Sequence, residues 1–183
     1  MAKSKQEIFL ELYQPVHAQF ERFCRARAFG DMPYHDLIND TLLIAYQKMD
    51  HIKSDKAFLS YLIGIAIRVL SNAKRKLKPK SGVDEFIFLN HADSSPSVEL
   101  QFEIEMLHKA LACLPELQRE ALILFEITGY SIKEIMEIQQ SGSSAVKQRL
   151  ARGRKELAII VKKFMKLPEE GSVVKMHASL NIS

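Results

Sequence analysis

The chain has 183 residues, with 26 Lys and Arg against 22 Asp and Glu, a net charge of +4 with histidine neutral. That length suits one ordinary domain or two small ones, and an apolar fraction of 47% excludes a disordered chain. Seven Gly and six Pro exclude a collagen-like or long low-complexity chain, and no apolar run approaches the ~18–20 residues of a membrane span.

In chain order, residues 6–13 read as a short helix carrying Ile8, Phe9 and Leu12. Pro15 suits the first turn of a second helix, where Val16, Phe20 and Phe23 recur at helical spacing and Gly30 is the stop. Pro33 opens a third, with Leu37, Thr41, Ile44 and Ala45 on one side. A longer helix starts near Asp55, with an apolar stripe of Phe58, Tyr61, Leu62, Ile65, Val69 and Leu70, and ends in Lys74-Arg75-Lys76-Leu77-Lys78 before Pro79. Residues 79–97 read as a flexible linker, interrupted by the apolar patch Phe86-Ile87-Phe88-Leu89. Leu100, Ile104, Leu107, Leu111 and Leu114 then step by 4, 3, 4 and 3, which predicts a one-sided apolar stripe. Pro115 and Glu116 restart a helix that Leu117, Ala121, Leu124 and Phe125 continue and Gly129 stops. The last residues, 167–183, have no clear period and read as a flexible tail. The fold class is therefore all-α: two small helical domains, residues 1–78 and 98–166, joined by the linker.

Charge is unevenly spread. Residues 51–82 and 144–166 each carry +7, whereas residues 83–143 carry −8. Two basic islands of this kind attract a polyanion despite the modest total. The second island belongs to a helix-turn-helix. Ser131-Ile132-Lys133-Glu134 is a capping box, and the following short helix turns Ile132 and Ile135 inward, with Ile138 near its end. Gln139-Gln140-Ser141-Gly142 is the turn, and Ser143 or Ser144 caps a second helix with Val146, Leu150 and Leu157 inward. Lys147, Gln148, Arg149, Arg152, Arg154 and Lys155 are left on the other faces, the layout of a helix that enters a major groove.

Enzymatic readings are weak. Glu105 and His108 form one Glu-x-x-His pair where a di-iron bundle needs two and further carboxylates. The six histidines lack zinc-ligand spacing, and no glycine-rich phosphate loop is present. No cofactor and no metal site are expected. Cys24 and Cys113 are too few and too far apart for a disulfide framework and read as buried thiols. No apolar signal core follows the first residues, so the expectation is a cytoplasmic chain without membrane insertion.

The motifs carry a resemblance. Leu114-Pro115-Glu116-Leu117-Gln118-Arg119-Glu120 is similar to the L-P-x-x-x-R-E opening of region four in bacterial sigma factors. Gly129-Tyr130-Ser131-Ile132-Lys133-Glu134-Ile135 and Ser144-Ala145-Val146-Lys147-Gln148-Arg149-Leu150-Ala151-Arg152-Gly153-Arg154 resemble the family's continuation. The first half resembles region two, through residues 34–46 (A-E-D-L-V-Q-E-T-F-L-x-A-Y/W) and 58–66 (F-x-x-W-L-x-x-I-A). Length and layout resemble the extracytoplasmic-function group of the sigma-70 family.

The resemblance implies a non-catalytic sigma factor that binds core RNA polymerase and directs promoter-specific initiation, with an anti-sigma protein as a further partner. It implies that Asp36, Leu37, Asn39 and Asp40 bind the polymerase. Tyr61, Arg68, Asn72, Lys74, Arg75 and Lys76 would bind the minus-ten element. Ser143, Ser144, Lys147, Gln148, Arg149, Arg152 and Arg154 would bind the minus-thirty-five element. The sequence departs from the family at Tyr61, where the motif has Trp, at Arg68, where it has Asn, at Asn72, where it has Asp, and at Asn39 and Asp40, which shorten Gln and Glu. Two other readings stay open on the residues alone: a stand-alone helix-turn-helix regulator of duplex DNA, and a sigma-like interaction protein that starts no transcription.

Overall fold

The structure, a computed structural model, describes residues 3–49, 55–76 and 98–166, and no strand occurs among them. The expected linker with its patch at residues 86–89, and the expected tail, lie outside the described residues.

Helix α1 (Lys5–Tyr13) begins at a capping box in which Ser4 Oγ accepts from the Glu7 amide at 3.2 Å and the Glu7 carboxylate accepts from the Ser4 amide at 2.7 Å. Pro15 does not sit in the first turn of α2 (His17–Ala28). It lies in the turn before it, which the Val16 amide closes on the Tyr13 carbonyl at 3.0 Å, and Val16 is the N-cap. Gly30 ends the helix at φ +79°, a conformation that costs glycine little. Pro33 occupies the N-cap of α3 (Tyr34–Lys48), and α4 (Asp55–Lys76) packs across α1, α2 and α3. Because α4 is covered by three helices, its buried face is wider than the expected stripe: Leu59, Ile63 and Ala66 are buried beside Phe58, Leu62, Ile65 and Leu70, while Tyr61 and Val69 are half-buried. Phe9 seals one end, edge-on to Phe58 and to Tyr46 with ring centroids 5.4 Å away in each case. By length and composition residues 57–75 would suffice to cross a membrane, although they contain no uninterrupted apolar run of that length. Here Phe58, Leu62, Ile63 and Leu70 belong to the helical core instead.

The second half comprises α5 (Val98–Ala112), α6 (Glu116–Leu122), a π-helical turn (Ile123–Ile127), α7 (Ile132–Gln139) and α8 (Ser143–Lys166). The expected stripe of α5 is buried only at its end. Leu111 and Leu114 are inside, but Leu100, Ile104 and Leu107 are 46%, 41% and 38% exposed, because α8 and α2 cover α5 around Ala110 and Leu111. Leu117 is likewise exposed, while Ala121 and Leu124 are buried. The π turn ends where the buried Thr128 hydroxyl donates to the Leu124 carbonyl at 2.7 Å, and Gly129 reverses the chain at φ +70°. Cys24 is buried and Cys113 half-buried, both as free thiols; burial raises the pKa of each.

The halves meet where α2 packs on the π-helical turn and on α5 within one hydrophobic core, and along a polar seam between α2, the end of α4 and α6. Arg119 of α6 sends Nη2 into the C-terminal end of α2, donating to the carbonyls of Ala26 (3.0 Å), Arg27 (2.8 Å) and Phe29 (2.7 Å). Arg27, fully buried, donates to Asp31 at 3.0 Å and to Glu116 at 2.5 Å. The Ser60 and Tyr130 hydroxyls meet at 3.1 Å, and the Gln19 side-chain amide donates to the Thr128 carbonyl.

Within the second half, α8 crosses α6 at Gly153. A Cβ there would lie 3.0 Å from Leu122 Cδ1 and 3.5 Å from Gln118 Cβ. Gly153→Leu is expected to cost about 1–3 kcal/mol or more by overpacking, beyond the ~1 kcal/mol gained by removing a mid-helix glycine. A lower denaturant midpoint at unchanged m-value is the readout.

Candidate nucleic-acid interface

The helix-turn-helix is built from its caps inward. Ser131 Oγ accepts from the Glu134 amide at 3.4 Å while the Glu134 carboxylate accepts from the Ser131 amide at 2.8 Å, so the expected capping box starts α7. Ile135 is buried, with Ile132 and Ile138 half-buried beside it. The residue that takes the left-handed conformation in the turn is Gln140 (φ 47°, ψ 49°), not Gly142. Gly142 instead stands at the cap of α8, its carbonyl accepting from the Val146 amide at 3.2 Å, so Ser143 is the first helical residue rather than the cap.

One side-chain amide ties the turn to the scaffold. Gln139 Nε2 donates to the Leu117 carbonyl and to Glu120 Oε1, each at 3.0 Å, and Gln139 Oε1 accepts from Arg149 Nη1 at 2.8 Å. Arg149 Nη1 also donates to Ser141 Oγ at 2.8 Å. Glu120 is buried, and its pKa is raised by desolvation against the opposing hydrogen bond from Gln139.

This network sorts the basic residues of α8. Ser144, Lys147, Gln148 and Arg152 are exposed, and at helical spacing they form one strip. Lys155 continues that strip; the sequence alone puts it on an outer face but not among the expected site residues, although its helical spacing from Ser144 is the signal that finds it. Ser143 is half-buried at the first turn. Arg149 is turned back into the loop. Arg154 is exposed but leans on the scaffold: its Nη2 lies 2.7 Å from Glu126 and its guanidinium 5.3 Å from the Phe125 ring centroid.

On α4, Tyr61, Arg68, Asn72 and Arg75 recur at 7, 4 and 3 residues and so share a face. Arg68, Asn72 and Arg75 are exposed, and Arg75 donates to the Asn72 side chain. Lys74 points elsewhere, into the seam, with Nζ 3.2 Å from Glu116 and 3.4 Å from Asp31. Lys76 closes α4, and its side chain lies outside the described ones. On α3, Asp36, Asn39 and Asp40 are exposed together. Leu37 is fully buried, so its expected contact with a partner is corrected: it fastens the helix from inside. Leu43, 58% exposed, adds to the acidic strip an apolar side chain that is not among the expected site residues.

Among the described residues no group of three or more His, Cys, Asp or Glu side chains could hold a metal. Glu105 pairs with Lys109 at 2.9 Å rather than with His108. Burial, with Arg119 and Arg25 nearby, lowers the His108 pKa to about 4.

The family model described as Sigma-70 region 2 matches residues 6–79, and that described as Sigma-70, region 4 matches residues 104–157. The ECF RNA polymerase sigma factor SigM of Mycobacterium tuberculosis is 27% identical over 152 residues, which span 82% of this chain and 75% of the relative. The ECF RNA polymerase sigma-E factor of Escherichia coli strain K12 is 29% identical over 140 residues, spanning 70% of this chain and 72% of the relative. Among solved structures, the sigma factor RpoE of Bartonella quintana, in complex with the anti-sigma factor NepR, superposes with a TM-score of 0.65 at 22% identity, over 84% of this chain and 98% of that one.

The two kinds of basic residue on α8 should separate in stability measurements. Arg149→Ala breaks two bonds and strands Gln139 Oε1, and is expected to cost about 1–3 kcal/mol. Arg152→Ala, on the exposed strip, should stay within ~0.5 kcal/mol of the parent. Denaturant midpoints of the two variants check this.

Proposed function

The chain belongs to the sigma-70 family, in its extracytoplasmic-function group, and on that premise we propose how its residues divide the work of a sigma factor. It is a specificity subunit rather than a catalyst: it binds core RNA polymerase and directs promoter-specific transcription initiation. Residues 1–78 form the region-two unit, 79–97 the linker, 98–166 the region-four unit and 167–183 the tail. The protein acts in the cytoplasm, and an anti-sigma protein is its regulator.

The observation that carries this division is the exposed strip on α8, standing free behind a turn that Gln139 and Arg149 hold rigid. Ser144, Lys147 and Gln148, in the first turns, meet base edges in the major groove of the minus-thirty-five element, with Ser143 beside them. Arg152, with Lys155, holds phosphates. Arg149 and Arg154 serve that contact from behind, fixing the angle at which α8 leaves the scaffold. On α3, Asp36, Asn39, Asp40 and the apolar Leu43 face the polymerase. On α4, Arg68, Asn72, Arg75 and Lys76 follow the backbone of the minus-ten strand, and Tyr61 offers a ring on which a base stacks, worth about 1–3 kcal/mol. Lys74 joins them once it leaves the seam.

Run-off transcription with purified core polymerase and a promoter library tests the function. Promoter-specific transcripts are expected only when core and this chain are both present; transcripts absent across the library contradict it. Holoenzyme affinity for promoter variants at several salt concentrations tests the residues. Gln148→Ala or Lys147→Ala should change which minus-thirty-five bases are preferred, by about 1–3 kcal/mol for a lost contact. Arg152→Ala should weaken all sequences alike and reduce the salt slope by about one. A changed base preference at Arg152 with an unaltered salt slope contradicts the orientation of α8 in the groove.

A further inference from the structure

Helix α8 is longer than a groove requires. Its 24 residues span about 36 Å at ~1.5 Å per residue, whereas a major groove is about 12 Å wide. The residues given to the minus-thirty-five element above end at Lys155, and the helix runs on to Lys166. In that remainder Lys162 and Lys163 are exposed, and neither pairs with a carboxylate among the described residues. By helical rotation Lys162 stands five full turns after Ser144 and points the same way, and Lys163 lies within about 20° of Arg152. Ala158 and Ile159, exposed on the same side, carry no charge and separate the two lysines from Lys155. Glu156, the one carboxylate in the sequence of α8, is half-buried. The far end of the helix is thus a second basic site on the face that meets DNA, not the fringe of the first.

Its position decides what it can touch. Lys162 lies about 10 Å along the axis beyond Lys155. A straight rod seated in a groove that curves round the duplex leaves that groove and passes over the bordering backbone. What it meets there is phosphate, which carries no base identity and suits a compact ammonium on a flexible stem. We propose that Lys162 and Lys163 form a second phosphate clamp, holding the DNA that flanks the minus-thirty-five element on the side toward which the C-terminal end of α8 points. The clamp rests on the placement of α8 in the groove given above. It adds affinity for every promoter alike, and it lengthens the DNA that is contacted without lengthening the sequence that is read.

The test uses holoenzyme, assembled from core polymerase and the full chain, on promoters selected from the library. Lys162→Gln, Lys163→Gln removes both charges at nearly constant helix propensity. Its affinity should fall on all promoters alike, with a salt slope lower by about two. Arg22→Gln, at an exposed cation of α2, controls for net charge and should leave the slope unchanged. Duplexes with a single neutral methylphosphonate at successive positions on either side of the element locate the contact. The parent should lose affinity at a cluster of positions on one side only, and the double variant should be insensitive at those positions. An unchanged slope overturns the clamp, as does equal sensitivity of parent and variant to every methylphosphonate. So does a variant that keeps the slope but loses affinity for core polymerase, the mark of an acidic protein partner. A variant that keeps the slope but unfolds at lower denaturant overturns it too, since cations near a helix C-terminus also stabilise the helix itself. A parent holoenzyme that recognises no promoter overturns the sigma-factor reading and the clamp with it; recognition with an unchanged slope overturns the clamp alone.

Discussion

Arg119 places its guanidinium among the carbonyls of Ala26, Arg27 and Phe29, groups that the last turn of α2 leaves without helical partners. A cation at a helix C-terminus is favoured by the helix dipole, and the planar fork of arginine reaches several acceptors where a lysine ammonium would reach fewer. The same side chain belongs to α6, the helix on which α8 packs. One residue thus caps the first half and sets the position of the second. Removing it would leave buried carbonyls unpaired and Asp31 with one cation fewer, so both halves feel the loss.

The remaining arginines show why net charge is a poor guide to a nucleic-acid surface. Each basic island carries +7, yet part of that charge is structural. Lys74 is held in the seam, Arg149 in the turn, and Arg154 on Glu126 and Phe125. Among the described residues, what is left facing water without such a role is Lys147, Arg152, Lys155, Lys162 and Lys163 on α8, and Arg68 and Arg75 on α4. Polar side chains at the start of α8 lie at the head of the first set. That segregation gives a helix whose exposed polar and basic residues are in line, while other cations use their hydrogen bonds to hold the scaffold rigid. Gln139 is central to this arrangement, since its amide joins Leu117 and Glu120 on α6 to Arg149 on α8.

Much of the fold was legible in the sequence because its signals are local. The Ser131 capping box, the Gly30 and Gly129 stops, and the apolar spacing of α3 and α8 depend on residues within one or two turns of each other. Features that depend on another element were not legible. Whether the apolar positions of α5 are buried is set by what covers them; Ile104 has the right spacing and stays exposed. Gln140 takes the left-handed turn although glycine stands two residues on, because the turn is fixed by its hydrogen bonds to α7 rather than by glycine content. Arg149 and Arg152 look alike in sequence, three residues apart on a basic helix, and only the position of Gln139 separates a clamp from an exposed cation. The whole seam was invisible for the same reason, since Arg27 and Glu116 are separated by 89 residues.

The central claim is that one chain contacts two promoter elements at once and does so only as part of the polymerase. Permanganate and nuclease footprinting on a promoter selected from the library measures this directly. Core and chain together are expected to protect both elements and to leave unpaired thymines at the minus-ten element alone, while the chain by itself protects neither. Protection of a duplex site by the chain without core, or protection of both elements with no unpaired thymine, would contradict the account.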